Sequence, residues 1–122
     1  MRGQTWLADQ GYKPEVWDRF WAKVTKTENC WIWTGAVAGS KISYGYFKPG
    51  YIVRGTPRRP VYVHRFAHEM LIGPIPEGYE VDHVVERGCT SELCVNPAHL
   101  EAVTPEENKA RRRPRGARLD AA

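Results

Sequence analysis

The stretch from Val81 to Arg113 reads VDHVVERGCTSELCVNPAHLEAVTPEENKARRR and holds two of the chain's three cysteines and two of its four histidines. Side chains that ligate metals or move protons are dense in it, and apolar ones are sparse. Cys89 and Cys94 are separated by four residues, and Cys94 and His99 by four more. Thiolates and imidazoles joined by such short loops suit a tetrahedral zinc ion. Cys30 is the one cysteine left over. Cys30, Cys89, Cys94 and His99 together would make a closed Cys3His site, a structural rather than catalytic zinc pattern. The plainer alternative leaves Cys89 and Cys94 free or bonded to each other, with His99 an ordinary strand residue. A variant puts His83 in place of Cys30, although His83 has a better use.

That use is proton transfer. A neutral histidine is a competent general base near neutral pH. Beside His83 stands Asp82, and Asn108 follows in what reads as the first turn of a helix. Their oxygens suit Mg2+. A histidine base next to a hydrated divalent cation is a minimal apparatus for hydrolysing a phosphodiester: the base activates water, and the cation stabilises the charge on phosphorus and on the leaving oxygen. The start of the helix carrying Asn108 adds free N–H groups and a positive dipole end, both favourable for phosphate. His64 and His68 stand at helical spacing, but no third ligand is evident nearby, so they read as packed or hydrogen-bonded residues.

Several elements must hold these groups. Residues 79–83 read as a strand ending on Asp82-His83, residues 88–98 as a loop and residues 99–103 as a second strand. Thr104 then caps a helix, with proline at its first position and glutamate three residues after the cap. A hairpin followed by that helix would bring His83 and Asn108 to one side. Upstream, residues 14–26 read as a helix with Val16, Phe20 and Val24 on one face. Residues 30–34 and 44–48 are aromatic strands that would pair with each other as a hairpin. Residues 50–60 form a basic, turn-rich loop with Arg54, Arg58 and Arg59. Residues 61–63 are a short strand, and residues 64–72 a helix closed by Gly73-Pro74. Residues 1–12 carry little signal and are expected to be a flexible end.

At 122 residues the chain is one domain with room for a modest core. No run is long and apolar enough for a membrane span, and residues 1–15 lack the apolar stretch of a signal peptide. A cytoplasmic setting is therefore expected, where thiols stay reduced and an odd number of cysteines favours metal ligation over disulfides. The net charge of +4 comes from Lys109, Arg111, Arg112, Arg113, Arg115 and Arg118. A basic end of this kind suits a polyphosphate partner such as DNA, or it simply aids solubility.

The ordered series of motifs resembles the HNH family of endonucleases, also called His-Me finger or ββα-metal nucleases. The carriers are Val81-Asp82-His83, the run from Cys94 to Glu101, and Val103 to Asn108. Cys30 to Gly35, Tyr44-Gly45-Tyr46, and His64-Arg65 through Gly78 are similar to the phage and homing-endonuclease branch. The resemblance spans roughly residues 15 to 113. It implies an α+β fold: a small zinc-stabilised domain with a ββα-metal core, preceded by a helix and a β-hairpin. The domain would run over residues 13–113, with a basic disordered tail at 114–122. His83 matches the general base, Asn108 and Asp82 the ligands of a catalytic Mg2+, and Cys30, Cys89, Cys94 and His99 a Cys3His zinc site. Arg65 and the Arg58-Arg59 pair are candidates for the scissile phosphate, because arginine presents a planar donor fork. The family implies DNA cleavage leaving 5′-phosphate and 3′-hydroxyl ends. Asn96 reads as structural. Cutting both strands would need sequential nicks or a second active site, as in a homodimer. The competing class is a non-catalytic zinc module that binds nucleic acid.

Overall fold

The computed structural model describes residues 2–39, 44–50 and 60–111. Arg54, Arg58 and Arg59 of the basic loop, and the tail beyond Arg111, lie outside these residues.

The first element departs from expectation. Residues 1–12 read as a flexible end, yet Arg2–Asp9 form helix α1. Leu7 and Tyr12 are buried in the main core, and Trp6 packs edge-on against Phe66 with ring centroids 5.5 Å apart. One leucine and two aromatics are too few to show a helical period, but their burial is enough to dock the segment.

Helix α2 spans Glu15–Trp21 and buries Val16 and Phe20 one turn apart. Val24 continues their helical spacing, but the chain leaves the helix and forms β1, Val24–Lys26, which pairs antiparallel with β2, Trp31–Trp33. The hairpin partner of β2 is thus β1, and not the strand at Tyr44. The reason is local. The Thr27 amide and hydroxyl both donate to the Cys30 carbonyl, at 3.1 and 2.6 Å, and close a tight turn. The Lys26 ammonium then sits over the Trp21 and Trp31 rings at 4.7 and 4.3 Å, a cation–π arrangement that a helical Lys26 would forgo.

Strand β3, Val37–Ala38, pairs with β4, Tyr44–Phe47, which pairs with β5, Val61–Tyr62. Gly45 lets β4 approach the core. A Cβ there would lie 2.5 Å from Trp33 Cδ1 and 2.7 Å from Val63 Cγ2. Helix α3, Val63–Leu71, follows β5 directly and buries Val63, Phe66, Ala67 and Met70. Phe20, Trp33, Phe47 and Phe66 form the aromatic centre, with the packed ring centroids among them 5.4 to 5.7 Å apart.

The last unit is a hairpin and a helix. Strand β6, Glu80–His83, pairs antiparallel with β7, Leu100–Val103, so that Asp82 faces Glu101 and His83 faces Leu100. Thr104 accepts from the Glu107 amide at 3.1 Å and caps α4, Pro105–Ala110. His99, expected in the second strand, instead ends a 3₁₀ turn, Pro97–His99, whose Asn96 cap accepts from the Ala98 amide. The chain is a small α+β domain with a ββα unit, as the sequence implies. Among the described residues no helix is long and apolar enough to cross a membrane.

Candidate active site and metal centre

Cys30, Cys89, Cys94 and His99 converge. Their ligand atoms all lie within 4.8 Å of one another, and all four residues are buried. Two pieces of chain deliver them, the turn before β2 and the connection between β6 and β7. Cys30 precedes β2 and is fixed by the Thr27 turn. Cys89 follows a 3₁₀ turn, Val85–Arg87, ended by Gly88 at φ +94°, a left-handed conformation that glycine adopts without strain. Asn29 Nδ2 donates to the Gly88 carbonyl at 2.7 Å and ties this corner to the Cys30 turn. Asn96 Nδ2 does the same from the other side, donating to the Asn29 carbonyl at 2.7 Å. Asn96 is structural, as its loop position suggests.

The distances from His99 to two of the thiols match those in a tetrahedral ligand set. Sulfur and nitrogen ligands of a tetrahedral zinc ion sit about 3.6 Å apart at the usual bond lengths. Cys30 Sγ and Cys94 Sγ lie 3.7 and 3.5 Å from His99 Nδ1. The Thr90 and Asn96 amides point at Cys30 Sγ and Cys94 Sγ, both at 3.4 Å, where they favour thiolates. Cys89 Sγ donates to the Ser91 carbonyl at 3.4 Å. The neighbouring Cys89 thiol, against the opposing effect of burial, holds Cys94 at about 5, and the pairing with Cys94 together with burial pushes Cys89 up. The soft thiolate and imidazole donors fit zinc.

Cys94 also reaches the second group. The segment Leu93–Val95 lies along β2, with the Val95 amide donating to the Trp31 carbonyl at 2.7 Å and the Trp33 amide to the Leu93 carbonyl at 2.9 Å. This presents the Cys94 carbonyl to His83 Nε2 at 3.1 Å. A carbonyl only accepts, so Nε2 carries the proton and the neutral ring keeps Nδ1 as its basic nitrogen. His83 is 3% exposed. Its ring lies 5.0 Å from that of His64 and stacks at 6.4 Å with Tyr44. His64, at the start of α3, is held down at about 4, chiefly by burial and then by Arg65, and so stays neutral at ordinary pH. His68 is bonded separately, with Nδ1 2.9 Å from the Gly73 carbonyl. The two helix histidines therefore do not act as a pair.

Strand alternation divides β6. Val81 and His83 belong to the side packed against the core and α3; Glu80 and Asp82 meet α4. Asn108 Nδ2 donates to Glu80 Oε1 at 2.6 Å. A carboxylate only accepts, so the amide nitrogen is the atom that faces Glu80. Asp82 Oδ2 accepts from Arg111 Nη1 at 3.2 Å. The carboxylate and amide oxygens of Asp82 and Asn108 are hard donors, the kind Mg2+ takes. Arg65 Nη1 donates to the Tyr79 carbonyl at 3.1 Å, immediately before β6.

Sequence reasoning missed four members of this neighbourhood: His64 as a neighbour of His83, Glu80, Glu101 and Arg111. The signal for Glu80 was the two-residue alternation with Asp82. For Arg111 it was the three-residue helical spacing from Asn108.

The family resemblance is borne out over the part of the chain that carries most of these groups, though not Cys30 or Arg111. Residues 61–110 match the model of the HNH endonuclease family, whose members are nucleases. Three phage proteins are similar to the chain. Protein 2.8 of Escherichia phage T7 is 35% identical over 86 residues, covering 70% of this chain and 50% of its own length. Protein 7.7 of the same phage is 35% identical over 81 residues, covering 66% and 52%. The uncharacterized gene 5.3 protein of Enterobacteria phage T3 is 38% identical over 45 residues, covering 37% and 41%. The chain thus spans about half the length, or less, of the curated relatives it matches. No solved structure matches it.

Proposed function

We propose that the protein is a divalent-cation-dependent DNA endonuclease that hydrolyses phosphodiester bonds. The observation that carries this reading is the double use of Cys94. Its sulfur belongs to the Cys3His cluster, and its carbonyl sets the tautomer that makes His83 Nδ1 a base. His83 takes a proton from water, the water oxygen bonds to phosphorus in line, and the bond from phosphorus to the 3′ oxygen breaks. The products carry 5′-phosphate and 3′-hydroxyl ends. Asp82 and Asn108 Oδ1 hold Mg2+, which when bound stabilises charge on the phosphoryl group and the leaving oxygen. Zinc on Cys30, Cys89, Cys94 and His99 is structural. Arg65, with further N–H donors beyond the one on Tyr79, contacts the scissile phosphate, and the basic end from Lys109 to Arg118 follows the DNA backbone. The setting is the cytoplasm of the host cell, and a homodimer is the simplest source of a second active site for double-strand cutting.

Supercoiled plasmid distinguishes this from a non-catalytic zinc module. The wild-type protein should nick or linearise it with Mg2+ and not with excess chelator for Mg2+. His83→Ala should lose about 10²–10⁴ of the rate, the usual contribution of a general base. Equal cleavage by wild type and His83→Ala, both folded and zinc-loaded, refutes the assignment.

A further inference from the structure

Arg111 joins three carboxylates from three elements. Its Nη1 donates to Asp82 Oδ2 at 3.2 Å and to Glu101 Oε1 at 2.9 Å, and its Nη2 to Glu107 Oε2 at 2.8 Å. Asp82 and Glu101 stand directly opposite each other in the β6–β7 ladder. Two carboxylates in that position repel, and Asp82 is only 7% exposed, so its charge is poorly compensated by water. The guanidinium supplies the compensation. It is fixed more tightly by Glu101 and Glu107 than by Asp82, as the distances show, and Arg87 lies 3.4 Å from the same Glu101 oxygen. Arg111 and Asn108 occupy one face of the helix end, three residues apart. One engages Asp82 and the other Glu80, on the same face of β6.

We infer that Arg111 is the resident counter-ion of the divalent-cation site: a positioning residue that holds the Asp82 carboxylate and sets the affinity with which that carboxylate takes a cation. This rests on the proposal that Asp82 is a cation ligand. A cation arriving at Asp82 meets a positive charge already bonded to one of the two carboxylate oxygens. It must share or displace that bond while Arg111 keeps its anchors on Glu101 and Glu107. The site therefore binds divalent cations more weakly than its carboxylates alone would, and it stays folded and charge-balanced without one.

The test uses zinc-loaded protein and Mn2+ as the probe, with binding followed by calorimetry and the melting temperature measured with and without Mn2+. Arg111→Gln keeps a hydrogen-bonding side chain and removes the charge. It should bind Mn2+ about tenfold more tightly, the order expected when a unit charge a few ångströms from a dication is removed in a watery surrounding. It should also melt lower than wild type without Mn2+ and recover more on its addition. Arg111→Lys, which retains the charge, should stay near the wild-type affinity. Unchanged or weaker Mn2+ binding by Arg111→Gln overturns the inference. Asp82→Asn separates the two levels. If it binds Mn2+ as well as wild type, Asp82 is not a ligand and the underlying reading falls. If it loses Mn2+ while Arg111→Gln gains nothing, only the role of Arg111 falls.

Discussion

Replacing Cys94 by serine tests the link between the two halves of the site. Cys94 is fully buried, its Sγ lies 3.5 Å from His99 Nδ1, and it accepts the Asn96 amide. Serine fills nearly the same volume but offers a poor zinc ligand, so the effect is on the metal more than on packing. A structural zinc ion contributes roughly 10–16 kcal/mol in small zinc-folded domains. If one ligand of four carries its proportional share, about 3 kcal/mol is lost, a large part of the roughly 5–15 kcal/mol that stabilises a whole domain. At roughly 3–5 °C per kcal/mol for a chain of this size, the melting temperature should fall by about 10 °C. Zinc bound per protein, measured by atomic emission, should fall together with it. The Cys94 carbonyl survives the substitution, but the cluster that holds its segment does not. Imidazole nitrogen NMR should therefore show His83 leaving its single Nε2-protonated form. Cys89→Ser is the parallel variant: it leaves Cys94 itself intact, so if the cluster is what positions the Cys94 carbonyl, zinc loss there should move the His83 signals in the same direction. A full complement of zinc in Cys94→Ser would remove Cys94 from the cluster. Zinc loss with an unaltered His83 tautomer would sever the structural site from the base.

Two other outcomes follow from the same packing. His64 should titrate near pH 4 in ring-proton NMR, as against the ordinary 6.5; because the folded value is the lower one, its contribution to stability is complete above about pH 6.5 and is lost as pH falls through about 4, and a midpoint near 6.5 in the native protein would show that burial does not control it. Gly45→Ala should destabilise by about 1–3 kcal/mol, the usual cost of overpacking, because its Cβ would enter the space of Trp33 and Val63; a melting temperature equal to wild type would mean that β4 shifts without loss.

The chemistry was more legible than the scaffold. The Cys3His set could be read because structural zinc ligands are mostly cysteine and histidine and this chain has few of either, so Cys30 followed by elimination despite lying far upstream. The helix at Thr104 was legible because its cap, first-turn proline and glutamate are local signals. The pairing of β2 was not, because Val24 satisfies a helical period as well as a strand, and only the Thr27 turn decides between them. The first helix was missed because its few apolar residues acquire meaning only against Phe66. Arg111 was read as part of a basic run. Nothing local distinguishes a clamp on three carboxylates from a solvated charge until β6, β7 and α4 are assembled.

The position of the zinc-type cluster has a physical reason beyond added stability. The connection from β6 to β7, residues 84–99, is long for a hairpin and poor in apolar side chains, and a two-stranded sheet alone would not fix its path. Two of the four cluster residues lie inside this connection, a third ends it, and the fourth, Cys30, immediately precedes β2. Closing the cluster thus presses residues 93–95 onto β2, where the ladder bonds to Trp31 and Trp33 complete a third strand position. The Cys94 carbonyl then has one place to go, His83 Nε2. Asp82, one residue earlier, is turned to the opposite face and is held by Arg111, the residue that caps the end of α4. His83 is therefore oriented from the cluster side and the Asp82 carboxylate from the helix side. Removing zinc should disturb His83 before Asp82, whereas removing Arg111 should disturb Asp82 and leave the His83 tautomer intact, a contrast that imidazole nitrogen NMR on the two variants resolves directly.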